Sequence, residues 1–558
     1  MNKKSIFSEI IKKENFEVAI KNIKENGKKA TGIDNISIDE FIETQNPYQT
    51  ILDRLENFIP NGVRRVDIPK GDGKTRPLGI PTIEDKVIQM MFKNILEPIC
   101  EEKFNQHSYG FRPNRRAEHA IAWNNILINV SKLHFCVDID IKGFFDNINH
   151  NKLIKQCITI GITDKKVLSI IKAMLKAPIH QKNGEVEIPN KGTPQGGILS
   201  PLLSNICLNE LDWWISNQWQ TFKTDHTYKP DSNKYPAIKK TNLTEVFLIR
   251  YADDFKLMCR DRGSAERMFR ITKLFLKNRL KLDISKKKSK IVNLRKQKSE
   301  FLGFAIKTVL KGKNGKRVAQ TWIKDSAIKS CTTKLKKTIK EIHKKQSIKY
   351  ILLYNSQVRG IQNYYQIATN ITISLSTIGY NTDKVIYNRL KDIARRNYKD
   401  ERYRKRFRGY NYKTWSIKGI TLFTIQARRC RNPMMFSKKT PKNPTIKQDK
   451  FNQIEKLYKN IPLGENHAND IEWQLQRIRA YQQVNCICYV TGEYVKFNEF
   501  AVHHIIPREY GGKDNLENLV ILKKEIHIEL HKKNPSFSNP KFDNLRKEIL
   551  NCKQIKLI

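Results

Sequence analysis

Apolar and polar residues alternate along this chain in more than one rhythm. Between residues 61 and 310, short β-rich runs alternate with helical ones. "FCVDIDI" at 135–141 and "EVFLIRY" at 245–251 read as strands. In "SAERMFRITKLFLKNRL" at 264–280, Met268, Ile271 and Phe275 recur at helical spacing. Residues 1–60 read as short helices ending at Pro60. From 322 to 345 the rhythm changes: Ile328, Cys331, Leu335, Ile339 and Ile342 recur at intervals of 3, 4, 4 and 3, with Lys and Thr between them. That spacing predicts an amphipathic helix with a basic outer face. Further on, His503 and His504 end a β-like run, and His527 and His531 share one face of a predicted helix. The pattern predicts a multidomain chain of mixed α+β or α/β type.

Length and charge narrow the picture. A chain of 558 residues holds roughly three to four domains. With 39% hydrophobic and 9% aromatic residues it can build cores. It carries 104 Lys+Arg against 55 Asp+Glu, a net charge of +49. Such an excess repels itself unless a polyanion neutralises it, and nucleic acid is the first candidate. An anionic membrane surface is the second, but no apolar run approaches the roughly 18 residues a span needs. "MNKKSIFSEIIKKENF" lacks a secretory apolar region, and Glu9 and Glu14 argue against a transit peptide. The ten Cys, mostly scattered singly, fit reduced thiols rather than a disulfide framework. Residues 394–447 are strongly basic, with Tyr, Phe and Trp415 interleaved, a composition that suits phosphates and stacked bases. Pro441 and Pro444 suggest a linker before a C-terminal unit at about 475–558.

Against that charge, "LIRYADDFKLM" at 248–258 sets Asp253 beside Asp254. The pair reads either as turn chemistry or as a cation site. Upstream, "VDIDIKGFFDNI" ends a β-rich run at Asp140, with Phe145 five residues on. Two strands with carboxylates at their ends can converge on Mg²⁺, which neutralises them and clamps a phosphoryl displacement. "NKGTPQGGILSPLLSN" at 190–205 reads as an ordinary loop, or as one whose Gly196 and Gly197 allow close backbone approach to a template. Lys70, Lys74 and Arg76 stand in a Gly-rich hairpin within 63–89 and suit a triphosphate. "GDGKT" is no nucleotide-binding P-loop, because no Gly stands five residues before Gly73.

These segments occur in a telling order: "IPKGDGKTRPLGIP", "ILEPICEEKFNQHSYGFRPNRRAEHA", "VDIDIKGFFDNINH", "GTPQGGILSPLLSNI", "RYADDF", "LKLDISKKKSKIV" and "FLGFAI". Together they closely resemble the reverse transcriptase of group II intron-encoded proteins. "NFEVAIKNIKENGKKATGID" resembles that family's extra leading motif, and "YNSQVRGIQNYY" at 354–365 its thumb, or maturase domain X. The resemblance implies a right-hand polymerase with fingers, palm and helical thumb. It implies that Asp140, Asp253 and Asp254 hold the catalytic metal, two Mg²⁺ ions. Asp138 would share a strand face with Asp140; Asp140 is preferred because Phe145 stands at the family's spacing from it. Phe145 would then face the incoming sugar and disfavour a 2′-hydroxyl. Lys70 and Arg76 match fingers residues on the triphosphate, and Gln195 would lie near template and incoming nucleotide.

Four of the 12 His fall within 503–531. "HH", the intervening Asn518 and the final pair resemble an HNH nuclease of ββα-metal fold. The resemblance implies that His503, His527 and His531 bind a divalent metal ion, that His504 is the general base, and that Asn518 holds the loop. Family members often carry two Cys pairs for zinc; here Cys486, Cys488 and a distant Cys552 cannot assemble a four-Cys structural site locally.

The implied organisation is 1–310 fingers and palm, 311–420 thumb or domain X, 421–474 basic DNA-binding segment and linker, and 475–558 HNH endonuclease. The implied function is a multifunctional intron protein: RNA-directed DNA polymerase, splicing cofactor and DNA-nicking enzyme. Its partners would be group II intron RNA, target DNA and dNTPs, with no membrane, in a bacterial cytoplasm or organelle matrix. The oligomeric state, a dimer included, stays open. Two other readings are an RNA-binding splicing factor with relic enzyme domains, and a free-standing reverse transcriptase. The retained YADD and HNH residues weigh against the first, and domain X and the HNH unit against the second.

Overall fold

The structure, a computed structural model, describes residues 5–25, 30–69, 75–312, 315–436, 480–481, 484, 487–493, 495, 499–511, 515–532 and 535–555. They divide into two units, Met1–Phe436 and Ser437–Ile558.

The described residues before 61 form short helices, among them α1 (Lys13–Glu25), which turns Phe16 and Ala19 inward. Next, β1 (Val63–Pro69) and β2 (Thr75–Pro81) pair antiparallel as the predicted hairpin. The hairpin tip, with Lys70 and Lys74, lies outside the described residues. In α2 (Ile83–Glu101), the Thr82 side chain accepts from the Asp85 N–H and caps the first turn. Val87, Ile88, Met91, Phe92 and Leu96 of this helix are buried. The helix α3 (Ala117–Asn129) follows.

A four-stranded sheet lies at the centre. Its parts arrive as β3 (Phe135–Asp140), α4 (Ser200–Asn217), β4 (Val246–Tyr251), β5 (Asp254–Cys259), α5 (Arg262–Phe275) and β6 (Lys290–Asn293). The strand order is β4-β5-β3-β6, antiparallel throughout. The helices α3 and α4 pack on β4, and α5 packs on β3 and β5. Covered on both sides, "VFLI" in β4 is buried at every position, which is why its sequence shows no polar alternation.

A second sheet of β7 (Ser299–Phe301), β8 (Phe304–Lys311) and β9 (Lys316–Ile323) leads into three helices. These are α6 (Asp325–Lys345), α7 (Ile348–Tyr365) and α8 (Ile371–Leu390), with α6 packed on both others. The amphipathic helix expected from 322 begins later, because Trp322 and Ile323 complete β9. Its Leu335, Ile339 and Ile342 are buried as the spacing requires. Part of the basic region is folded into this unit: Leu422, Phe423, Ile425 and Ala427 are buried in its core. Arg431 forms an ion pair with Glu118 at 2.8 Å, so that charge is spent within the protein. Residues 437–479, including Pro441 and Pro444, lie outside the described residues.

The C-terminal unit has its own core, with Tyr481, Phe500, Ile521, Leu522 and Phe542 buried. Here β10 (Phe500–His504) pairs antiparallel with β11 (Leu519–Lys523), followed by α9 (Lys524–His531) and α10 (Pro540–Ile555). Among the described residues no helix is long and apolar enough to cross a membrane.

Candidate active sites

Tyr251 pairs with Asp254, so Ala252 and Asp253 form the two-residue tip of the β4–β5 hairpin. In the neighbouring strand Asp140 stands opposite Asp254. Cross-strand partners share a sheet face, and like charges placed so are destabilising. Two residues further along, Asp138 faces Lys256. There the charges are opposite, and the fully buried Lys256 ion-pairs with Asp138 while Ser299 hydrogen-bonds to both. Asp138 therefore shares the face, as its position two residues away implies, but its carboxylate is engaged. Asp140 instead lies at the open end, 41% exposed, with Lys288 Nζ 3.3 Å away.

The acidic groups crowd one another. Burial raises the Asp253 carboxyl above its usual range; its own backbone N–H opposes this, Asp140 adds to it, and Arg76 and Arg250 oppose it. Asp254 is exposed as a residue, yet its carboxyl sits in a confined space and is pushed up to about 6. Loss of water is the main cause; Lys256 works against it, and Asp138, Asp253 and Asp140 add to it. The upward direction follows first from burial and then from packing carboxylates together. Clustered oxygen donors that repel one another are the donor set that a hard divalent cation relieves.

The hairpin tip is held by residues to which the motifs assign no role, and one of them, Asp212, lies outside every motif. Arg250 is fully buried. It grips Asp212 through Nε and Nη2, each at 2.7 Å, and donates from Nη1 to Asn205 Oδ1 at 3.0 Å and to the Ala252 carbonyl at 2.8 Å. Asn205 in turn donates to the Gly110 carbonyl at 3.0 Å. The "SYGFRP" segment runs beside β4, with Tyr109 N–H donating to the Arg250 carbonyl at 2.8 Å. A Cβ on Gly110 would overlap the backbone of Ala252. Ala252 itself has φ 59°, a left-handed conformation unusual outside glycine.

Residues expected beside a nucleotide gather on the other side. Phe145 sits half-buried in the one-turn helix Phe144–Asn147. The Thr193 N–H donates to the Phe145 carbonyl at 2.7 Å, and Gln195 Nε2 donates to Asp146 Oδ1 at 3.1 Å. The Gly79 N–H of β2 donates to the Gln195 carbonyl at 2.7 Å. Gly196 has φ +123°, and a Cβ there would lie 2.5 Å from the Gly79 carbonyl oxygen, so only glycine permits this approach. Arg76, exposed on β2, is near enough to act on the Asp253 carboxyl. Lys70 lies outside the described residues.

In the C-terminal unit, His503 at the end of β10 meets His527 and His531 of α9. Its ring lies 5.4 and 5.3 Å from theirs, centroid to centroid. One nitrogen from each lies within 4.8 Å of the others. His503 is buried with Nε2 lacking a hydrogen-bond partner. Burial, then the neighbouring His527, His531 and His504, lower its pKa to about 3, so the ring is neutral. Three converging imidazoles, one of them neutral with a buried unpartnered nitrogen, fit a metal ion. His504 follows on the same strand. Asn518 exchanges two hydrogen bonds with the Ile506 backbone, at 2.8 and 2.9 Å, and pins the chain just after the histidines. Cys488 is buried in this unit's core, and Cys486 lies outside the described residues.

A family model described as reverse transcriptase (RNA-dependent DNA polymerase) matches residues 68–306, and one described as HNH endonuclease matches residues 487–533. Enzymes of both kinds use divalent metal ions. The group II intron-encoded protein LtrA of Lactococcus lactis subsp. cremoris is 31% identical over 70% of this chain and 74% of LtrA. The putative COX1/OXI3 intron 2 protein of Saccharomyces cerevisiae is 28% identical over 63% of this chain and 48% of that protein. Nuclear intron maturase 2 of Arabidopsis thaliana is 28% identical over 27% of this chain and 25% of its own length. The chain belongs to the group II intron-encoded proteins: it is a multifunctional reverse transcriptase and maturase that carries an HNH endonuclease domain.

Proposed function

We propose that Asp140, Asp253 and Asp254 form the polymerase centre of a right hand, with fingers and palm in 1–310 and a thumb, or domain X, in 311–420. The observation that carries this reading is the position of Asp140 opposite Asp254, beside a hairpin tip bearing Asp253. These carboxylates would hold two Mg²⁺ ions, which when bound stabilise the charge developing on the attacked phosphate. Arg76, and Lys70 at the hairpin tip, steer the triphosphate. Gln195 borders the template and incoming nucleotide, and the Phe145 ring crowds a 2′-hydroxyl.

At the second centre, His503, His527 and His531 hold one divalent ion, and His504 takes the proton from the attacking water. Asn518 keeps the strand end and its histidines in register. The protein binds its own intron RNA, assists splicing, stays in the ribonucleoprotein, nicks target DNA and extends the new 3′-OH by copying the intron. It does so in a bacterial cytoplasm or an organelle matrix. Basic and aromatic side chains support the grip on RNA and DNA: Arg396 lies 5.8 Å over Trp415, and Lys391 6.0 Å over the exposed Tyr387. In this reading residues 421–474 add the DNA-binding segment and 475–558 the nuclease. The test separates the two centres. Asp253→Asn should stop cDNA synthesis on a pre-annealed primer yet leave nicking, and His504→Ala should do the reverse. Undiminished extension by the first variant, or undiminished nicking by the second, removes the corresponding assignment.

A further inference from the structure

Phe111 occupies a place that is unfavourable for a bulky ring. Its φ is 57°, in the left-handed region that side chains with a Cβ avoid, and it is 46% exposed. Its neighbours hold it there. Tyr109 and Gly110 are fixed to the Arg250–Ala252 backbone as described above. Arg112 grips Glu101 with two hydrogen bonds, at 2.8 and 2.9 Å, and donates to the carbonyls of Asn105 and Ser108. Held on both sides, the Phe111 ring meets the Phe145 ring at 6.3 Å and 68°, in edge-to-face geometry. Phe144 meets Phe145 at 5.3 Å and 64°. Behind Phe145, Thr193 binds its carbonyl, and a Cβ on Gly192 would lie 2.9 Å from that same oxygen. The backbone of Phe145 is thus fixed by the 192–193 loop, and Phe111 supports its ring.

We propose that Phe111 determines nucleotide specificity by bracing Phe145 against displacement by a ribonucleotide's 2′-hydroxyl. This rests on the reading of Phe145 as the sugar-facing residue. A ring on a one-turn helix can swing aside for an extra hydroxyl, and an edge-to-face partner resists that swing. The segment 107–112 then couples two demands, since the same stretch packs against the turn bearing Asp253 and steadies the ring that selects the sugar.

Single-nucleotide insertion by the full-length protein on an RNA template tests this, with kcat/KM compared for dGTP and GTP. Phe111→Ala should raise acceptance of GTP relative to dGTP about threefold to tenfold, chiefly through KM for GTP. Phe111→Tyr, which keeps the ring, should preserve the wild-type ratio. Phe145→Ala should relax the ratio by itself, and adding Phe111→Ala should then bring little further gain. If Phe145→Ala relaxes selection but Phe111→Ala does not, the role of Phe111 fails and the sugar-facing reading stands. If Phe145→Ala leaves selection intact, the underlying reading fails. If Phe111→Ala lowers insertion of both nucleotides in equal proportion, the ring serves binding in general and the proposal is overturned. Phe111→Leu, smaller but apolar, replaces the alanine variant should that one fold poorly.

Discussion

Asp140 and Asp254 oppose each other across two antiparallel strands, and two residues away on the same face Asp138 opposes Lys256. Like charges stand at the open end of this ladder and opposite charges in its interior. The inner pair balances itself. The outer pair, with Asp253 at the adjacent hairpin tip, has negative charge left over, which adds to the loss of water that raises the carboxyls of Asp253 and Asp254.

Removing one outer charge separates stability from chemistry. Asp254→Asn should lower primer extension by about a hundredfold or more, since charge stabilisation of this kind contributes several kcal/mol. In chelator, the same variant should be no less stable than wild type, because an opposed like-charge pair costs roughly 0.2–1 kcal/mol. Primer extension and thermal melting with EDTA check the two arms. Normal extension, or a clear fall in melting temperature, would contradict the reading.

The inner pair behaves in the opposite way. Burial works to lower the Lys256 pKa, and the neighbouring acidic groups, Asp138 foremost and Asp254 among them, together outweigh it, so the ammonium stays charged. Lys256→Met leaves Asp138 unpaired in a confined site. The expected loss is about 3–5 kcal/mol. Asp138→Asn in the same chain should recover part of it. Urea denaturation of the single and double variants measures this coupling.

Gly110→Ala inserts a methyl group where the Ala252 backbone already lies. The hairpin tip must move, and with it Asp253. Extension should fall at least about tenfold, since small misplacements of reacting groups are costly. Intron RNA binding, measured by filter retention at fixed salt, should be unchanged. Equal loss of both would mean a general folding defect.

The histidine centre offers a metal-binding readout. His527→Ala should abolish one Mn²⁺ site by calorimetry of the full-length protein and stop nicking. His504→Ala should keep that site and lower nicking by about a hundredfold or more, within the range of a lost general base. Neither should alter extension of a pre-annealed primer. A His504→Ala protein that also loses Mn²⁺ would make His504 a ligand instead of a base.

A buried histidine outside the proposed ligand sets predicts a pH effect. His107 stacks on Trp123 at 4.3 Å, and burial, aided by Arg115, lowers its pKa to about 3. The folded value lies below the unfolded value of about 6.5. The unfolded chain therefore binds the extra proton first, and stability is lost as pH falls from about 6.5 towards 3. The slope per site is about 1.4 kcal/mol per pH unit. His107→Phe should flatten the decline between pH 6 and pH 4 by that amount. Denaturation midpoints for both proteins at pH 7, 6, 5 and 4 test it, and identical slopes would refute it.

The sequence by itself determined the order of the motifs, the strands that end in Asp140 and His504, and the helix that carries His527 and His531. It also determined most of the amphipathic helix that begins at Asp325. These features depend on local periodicity and on residues close together in the chain, so one sequence suffices to read them. Only the tertiary structure decided that Lys256 takes Asp138, 118 residues away, and leaves Asp140 at the open end. It alone decided that Arg250 reaches Asp212 and Asn205 to hold the hairpin tip, that Arg431 spends its charge on Glu118, and that Phe111 meets Phe145. The physical reason is register and burial. A carboxylate is occupied or available according to which residue lies opposite it and whether water reaches it, and the packing of distant segments sets both.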